Sequence, residues 1–111
     1  MKITERFNRK KKVVSKKGFV NTPSIDPVSI DYPLDGEKIN KGHYAIRISV
    51  SEDRPTEISI NGKEWKPCRS ADGFKWFDWT VENPGKTKII SRVHNGTNEW
   101  IVSKEKVCFV D

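Results

Sequence analysis

The sequence predicts an all-β protein, an antiparallel β-sandwich of about seven strands preceded by a basic, extended N-terminal arm. Three observations support this prediction. Apolar residues alternate with polar residues in several short segments, turn-forming residues recur every eight to twelve positions, and no segment has the period of an amphipathic helix. The length of 111 residues suits one domain with one core, which the five Phe, four Trp and scattered Ile and Val are expected to fill.

The basic residues are concentrated at the N-terminus. Residues 1–18 contain eight Lys or Arg and one Glu, whereas the rest of the chain contains thirteen basic and fourteen acidic residues. We therefore expect residues 1–23 to form a basic arm and linker, and residues 24–111 to form the sandwich. Such an arm favours a polyanionic partner, although a solvated leader without a partner has the same composition. The candidate anion-binding residues are Lys2, Arg6, Arg9, Lys10, Lys11, Lys12, Lys16 and Lys17.

The first predicted strands follow a linker rich in Pro, Gly, Asn and Asp. An edge strand is expected near Val28 to Tyr32. The segment HYAIRISV then places an apolar residue at every second position from Tyr44 to Val50. This period is typical of a strand with one buried face.

The middle of the chain predicts hairpins. In TEISINGKEWKPCR, the pair Asn61-Gly62 suits a tight turn that needs positive φ angles, and Asp72-Gly73 suits another. The strand FKWFDWTV should follow, then a turn at residues 83–85. The segments KTKIISRVHN and EWIVSKEKVCFV are expected to form a final pair around Asn95-Gly96.

The strings SINGKEWKPC, FKWFDW, PG and SRVHNG resemble an Ig-like early-set domain. Similar patterns occur in the dimerisation domain of sulfite-oxidase-type enzymes, in glycogen-binding modules, and in small bacterial proteins of the form IDGGxWxxCR followed by WxYDW. The resemblance covers residues 56–98. The matching residues are Ser59, Asn61, Gly62, Trp65, Trp76, Trp79, Pro84, Gly85 and Arg92.

This resemblance implies a fold rather than an activity. The chain contains nothing that corresponds to the cofactor domain or the molybdenum ligands of the sulfite-oxidase family, so that chemistry does not carry over. Because the domain serves dimerisation in those enzymes, the resemblance implies an interaction module, and a homodimer is one possible assembly.

The strand FKWFDWTV carries the candidate partner-binding site. Burying an unpaired Asp78 would be costly, so Phe77, Trp79 and Val81 are expected to face the core. The opposite face then exposes Phe74 and Trp76, with Lys75 at the rim of the inner face. With the neighbouring Arg69, these two aromatic side chains form the predicted partner-binding patch. The alternative is that the N-terminal segment or a loop covers this face.

The predictions for the two remaining tryptophans and the two cysteines concern whether their side chains are buried. The resemblance implies that Trp65 fills the core, whereas the face of Trp100 stays unassigned. Cys68 and Cys108 are expected to be two buried thiols, although the sequence leaves their pairing open.

The sequence favours a non-catalytic protein without a cofactor or a metal. His43 and His94 are isolated, and no nucleophile, phosphate-loop or metalloprotease motif is present. A membrane span of about 20 apolar residues and the apolar run of a signal peptide are also missing, so a cytoplasmic location is expected.

We therefore predict a non-catalytic interaction module that binds a macromolecular partner through an Ig-like face, helped by the basic arm. Two alternatives remain open at this stage. The arm alone could bind nucleic acid or ribosomal phosphate, or the exposed aromatic side chains around Trp76 could bind carbohydrate.

Overall fold

A computed structural model describes residues 26–111 of the chain. These residues form ten strands: β1 (Val28–Tyr32), β2 (Glu37–Ile39), β3 (Gly42–Val50), β4 (Thr56–Ile60), β5 (Lys66–Pro67), β6 (Arg69–Ala71), β7 (Phe74–Val81), β8 (Gly85–His94), β9 (Trp100–Val102) and β10 (Lys106–Val110). The predicted arm and the boundary at residue 24 lie outside the described residues. The described part contains no helix long and apolar enough to cross a membrane.

The strands form two sheets, as predicted for a sandwich. One sheet has the order β1-β3-β7-β6, and the other has the order β2-β10-β8-β4-β5, with β9 also paired to β8. The pairings are antiparallel except for β10 with β2, which is parallel. More strands are present than the seven expected, because β5 and β6 are short separate pieces and the segment that pairs along β8 is interrupted between β9 and β10.

The interruption between β9 and β10 falls at residues 103–105. Here the backbone N–H of Ser103 donates to the Ser91 carbonyl oxygen at 2.7 Å. The hydroxyl of Ser103 accepts the Ser91 backbone N–H at 3.0 Å. These bonds keep the edge segment attached to β8 where the regular ladder stops.

The core is aliphatic. Its fully buried side chains include Ile46 and Ile48 from one sheet and Ile58 and Ile89 from the other. The expectation that Phe and Trp fill the centre is wrong, because Phe77 and Trp79 are only partly buried and pack against the margin of this cluster. The small cross-section between the sheets is filled by β-branched side chains, which suit a pleated surface.

The two predicted tight turns are confirmed. Asn61 and Gly62 have φ values of 55° and 73°, and Asp72 and Gly73 have 54° and 82°. Two consecutive positive φ angles define the hairpin turn that matches the twist of paired strands. Asn and Asp tolerate this conformation better than other side chains with a Cβ, which explains the residue choice.

Lys75 lies further inside than the rim position expected for it. Its side chain is 8% exposed, and its Nζ donates to Asp53 at 2.8 Å and to the Ser70 hydroxyl at 2.6 Å. Burial of an ammonium group is tolerated when hydrogen-bond acceptors surround it. The hydrogen bond from Lys75, together with its charge, lowers the pKa of the Asp53 carboxyl.

An Asp53→Asn variant is expected to unfold at a lower denaturant concentration than the wild type at pH 7. Because the folded-state pKa of Asp53 lies below its unfolded value, the stabilisation is present above about pH 4 and is lost as the pH falls through the folded-state pKa. The effect is modest since Asp53 is exposed. Chemical denaturation at pH 7 and at strongly acidic pH measures it, and a difference that does not shrink in acid would contradict this assignment.

Candidate functional site

The two faces of β7 are arranged as the sequence predicted. Lys75 and Val81 are buried, and Phe77 and Trp79 pack against the core cluster. The other face carries Phe74, Trp76 and Asp78. The partner-binding residues predicted on β7 therefore lie on the outer face of the four-stranded sheet.

Four side chains form a continuous row across this outer face, which we call the aromatic ladder: Tyr32, Arg47, Phe74 and Trp76. The guanidinium carbon of Arg47 lies 4.9 Å from the ring centroid of Tyr32 and 4.1 Å from that of Phe74. Phe74 and Trp76 then meet edge to face, with centroids 6.3 Å apart and ring planes at 81°. Both distances from Arg47 fall within the range of cation–π contacts.

Arg47 is held in this position by an acidic neighbour. Its Nε donates to Asp31 Oδ2 at 3.0 Å, and the hydroxyl of Ser49 donates to the same oxygen. The antiparallel pairing of β1 with β3 brings these residues together. The guanidinium is therefore fixed by both a carboxylate and two rings, and its side chain remains 30% exposed.

Phe74 and Trp76 are half-buried rather than fully exposed as expected. Arg47 stacks over the ring of Phe74, and the Trp76 Nε1 donates to the Ala71 carbonyl oxygen at 2.9 Å. Tyr32, at 44%, is the most exposed ring of the ladder. The patch is thus made of rings that are oriented by contacts within the domain.

Arg69 extends the ladder at the sheet edge. It lies opposite Trp76 in the pairing of β6 with β7. Its Nε and Nη2 donate to the two Asp78 carboxylate oxygens at 2.8 and 3.1 Å. His43 Nε2 lies 3.4 Å from Asp78 Oδ1. The hydrogen bond to Arg69 lowers the pKa of Asp78 and raises that of Arg69, so both groups stay charged.

Sequence reasoning missed Tyr32 and Arg47 as members of this surface. Arg47 could have been placed on the outer face, because it alternates with the apolar residues of its strand. Its position opposite Trp76 depends on the register between β3 and β7, which pairs Arg47 with a residue 29 positions later in the chain. No local pattern encodes that register.

A second arginine is clamped on the outer face of the other sheet. The guanidinium carbon of Arg92 lies 4.3 Å from the ring centroid of Trp65 and 4.2 Å from that of Trp100. Its Nη2 lies 2.6 Å from Glu57 Oε1. The expectation that Trp65 fills the core is therefore wrong, because Trp65 packs on Arg92 instead. Trp100 is assigned to the same face, where it also meets His94 edge to face.

The two cysteines are free thiols, with Cys108 buried and Cys68 half-buried. Burial raises the pKa of Cys68 to about 12 and also raises the pKa of Cys108. Neither thiol forms appreciable thiolate near neutral pH, which makes both poor nucleophiles. Within residues 26–111, no three His, Cys, Asp or Glu side chains are grouped so that they could hold a metal ion.

Comparison with solved structures identifies the architecture. The chain is similar to a fibronectin(III)-like module of CbhA from Clostridium thermocellum, with a TM-score of 0.63 and 18% identity over 75% of this chain and 93% of that one. The chain has an Ig-like β-sandwich fold. An engineered protein solved as a structural genomics target also matches, with a TM-score of 0.63 and 11% identity over 76% of this chain and 20% of that one.

These similarities concern the fold alone. No protein-family model matches the chain, and no curated protein matches it. The more specific likeness to the sulfite-oxidase dimerisation domain is not confirmed by these structures. Functional inference therefore depends on the side chains that the fold displays.

Proposed function

We propose that this protein is a non-catalytic interaction module that binds a protein partner through the aromatic ladder and Arg69. The basic N-terminal arm adds electrostatic attraction to that contact. The single observation that carries the proposal is the row of Tyr32, Arg47, Phe74 and Trp76 across three neighbouring strands. Tyr, Trp and Arg are the residue types that dominate binding energy at protein interfaces.

The side chains of the aromatic ladder are already held in place by contacts within the domain, which supports this proposal. Asp31 and two rings fix Arg47, and the Trp76 indole is fixed by its bond to Ala71. A partner that docks here loses little affinity to the ordering of these side chains. Arg69, Asp78 and His43 supply polar groups at the edge of the row, as is usual at the rim of an interface.

The geometry of the rings favours a protein over a sugar on this surface. Stacking several sugar rings needs aromatic faces that share a plane, whereas Phe74 and Trp76 stand at 81° to each other. Perpendicular rings suit the irregular packing of a protein interface. The carbohydrate alternative on Trp76 is therefore less well supported than a protein partner.

The contribution proposed for the arm rests on its sequence, because its residues lie outside the described part. Eight basic residues against one acidic residue give a positive segment joined to a nearly neutral domain. Such a charge distribution speeds association with an acidic partner and weakens as salt rises. The same asymmetry favours nucleic acid as a second candidate partner, bound mainly by phosphate contacts.

A pull-down from native extract in about 0.5 M salt tests the role of the ladder, with the full chain as bait. Replacement of a buried hot-spot residue typically costs at least 2 kcal/mol, which is more than a tenfold loss of affinity. We expect this loss for Trp76→Ala and for Arg69→Ala. The matched control is Trp100→Ala, a half-buried tryptophan on the opposite sheet, which should leave the same partner bound. Equal losses for Trp76→Ala and Trp100→Ala would contradict the assignment.

The arm is tested in the same full-length protein by changing its eight basic residues to Gln. The variant should bind the ladder-dependent partner more slowly at low salt and almost normally at high salt, because screening already removes the electrostatic contribution. Association rates measured at two salt concentrations provide the readout. Two results together would favour nucleic acid as the partner instead of a protein. The arm variant would no longer bind nucleic acid that the wild type binds, and Trp76→Ala would not change what the protein binds.

A further inference from the structure

A cleft of about 410 Å³ opens between the two sheets, and none of the four ladder residues lines it. Its volume falls within the range of about 300–1,000 Å³ that is usual for small-molecule sites. The cleft is lined by Ile58, Ile60, Asn61, Lys63, Glu64, Lys66, Phe77, Asp78, Trp79, Thr80, Glu82, Asn83 and Thr87. These residues come from β4, β5, β7 and β8 and from the turns beside them.

The cleft reaches into the sandwich. Two of its lining residues, Ile58 and Thr87, are only 1% and 4% exposed. The lining therefore combines exposed residues at the rim with residues of the core. The cleft is therefore an opening between the sheets that ends at the core.

Two half-buried aromatic side chains line this opening. Phe77 and Trp79 point inward from β7, but neither is fully covered by the opposite sheet. Trp79 is steadied by an edge-to-face contact with Tyr44 at 6.4 Å. The cleft thus offers an ordered aromatic surface to an occupant.

The hydroxyl of Thr87, one of the lining residues, has a poor hydrogen-bond partner. Among the described residues, its hydrogen-bond partner is the Gly85 carbonyl oxygen at 3.4 Å. That distance is well beyond the usual length of about 2.7–2.8 Å for a hydroxyl donor. A buried hydroxyl without a good partner costs free energy, so a ligand hydroxyl at this point would gain a favourable contact.

The charges around the cleft nearly cancel. Lys63 and Lys66 contribute two positive charges, and Glu64, Asp78 and Glu82 contribute three negative charges. Asp78 is already paired with Arg69 on the outer face. A site without a strong field selects neither an anion nor a cation, and its carboxylates and amides suit ligand hydroxyl groups.

We propose that this cleft binds an uncharged sugar ring, with Trp79 and Phe77 against its apolar face and Thr87 as a hydrogen-bond partner. The exposed side chains of Glu64 and Asn83 then accept or donate bonds to hydroxyl groups at the rim. This site is separate from the aromatic ladder, and either could exist without the other. A purely apolar ligand fits less well, because it would leave the Thr87 hydroxyl unpaired.

The test is a titration of the full-length protein with uncharged oligosaccharides, namely maltotetraose, cellotetraose, xylotetraose and N-acetylchitotetraose. The tryptophan indole resonances of the protein are followed by NMR. We expect at least one sugar to shift the Trp79 signal in a saturable manner and to leave the Trp76 signal unchanged. If none of the four shifts Trp79, or if the shifts centre on Trp76, the proposal is overturned.

The discriminating variant is Thr87→Val, which keeps the shape of the side chain and removes its hydroxyl. It should weaken sugar binding about tenfold, as expected for the loss of a buried hydrogen bond. Its thermal stability should be unchanged or higher, because the hydroxyl has no good partner in the free protein. Unchanged affinity in Thr87→Val would contradict the proposed role.

Two controls separate the cleft from other effects. Thr56→Val removes another buried hydroxyl, one that bonds well to the Arg54 carbonyl oxygen at 3.0 Å and does not line the cleft. This variant should bind sugar normally even if it is less stable. Sedimentation with the insoluble polymer of the active sugar distinguishes a polysaccharide chain from a free oligosaccharide as the ligand, and binding of either form supports the site.

Discussion

Replacing Ile89 by Ala is expected to remove about 2–5 kcal/mol from the free energy of unfolding. Ile89 lies on β8 in the centre of the six-stranded sheet and has no exposed surface. The change deletes buried methyl groups and leaves a cavity between the sheets. Because single domains are stable by only about 5–15 kcal/mol, this is the largest effect of a single substitution that we expect.

Urea denaturation measures the loss, with Val102→Ala as the control. Val102 is 52% exposed and also belongs to the six-stranded sheet, so its truncation should change stability by less than about 0.5 kcal/mol. Ile89→Val should fall between the two, at about 0.5–1.5 kcal/mol. Similar losses for Ile89→Ala and Val102→Ala would mean that the core is not where the structure places it.

Replacing Arg92 by Ala is expected to destabilise the domain by about 2–3 kcal/mol. The variant loses two cation–π contacts, worth about 0.5–2 kcal/mol each, and the charged hydrogen bonds to Glu57. It also removes the guanidinium on which both Trp65 and Trp100 pack. The loss should appear in both thermal and chemical denaturation.

Arg92→Lys gives a sharper comparison for this clamp. Lysine keeps the positive charge but lacks the planar group that packs on the two rings, so most of the loss should persist. Lys86→Ala, an exposed position on the same strand, should have almost no effect. If Arg92→Lys were as stable as the wild type, charge rather than stacking would explain the contribution of Arg92.

An arginine that contacts both aromatic rings and a carboxylate occurs on the outer face of each sheet. Arg47 and Arg92 each contact two aromatic rings, and each is oriented by a carboxylate from a neighbouring strand. Stacked arginines cover ring faces that would otherwise be exposed to water. This arrangement explains how a small domain retains large aromatic residues outside an aliphatic core.

The tight turns and the two faces of β7 can be predicted from the local sequence. The pairs Asn61-Gly62 and Asp72-Gly73 specify their turns, because few residue types tolerate two consecutive positive φ angles. The alternation of side chains along β7 places Trp79 and Trp76 on opposite faces. Because Asp78 would be costly to bury without a partner, the face that it shares with Trp76 is correctly predicted to point outward. These predictions need only the neighbours in sequence.

The predictions that were wrong concern side chains whose burial depends on contacts between distant segments of the chain. The prediction that Trp65 fills the core is wrong because its ring packs on Arg92, which the pairings of β4 with β5 and of β4 with β8 bring near it. Likewise, the partial cover of Phe74 comes from Arg47 on another strand. An aromatic residue is compatible with a core or with a stacked surface site, and only the strand register decides between them.

Site-specific photocrosslinking in cells tests whether the outer face of the four-stranded sheet contacts the proposed protein partner. A benzoyl-phenylalanine replaces Tyr32, which is 44% exposed beside Arg47, or in the control Phe109, which is 42% exposed on the opposite sheet. We expect the partner to be crosslinked by the probe at position 32 and not by the probe at position 109. The crosslink at position 32 should disappear when Trp76→Ala is added. Crosslinking from position 109 alone, or equal crosslinking from both, would contradict the proposed contact.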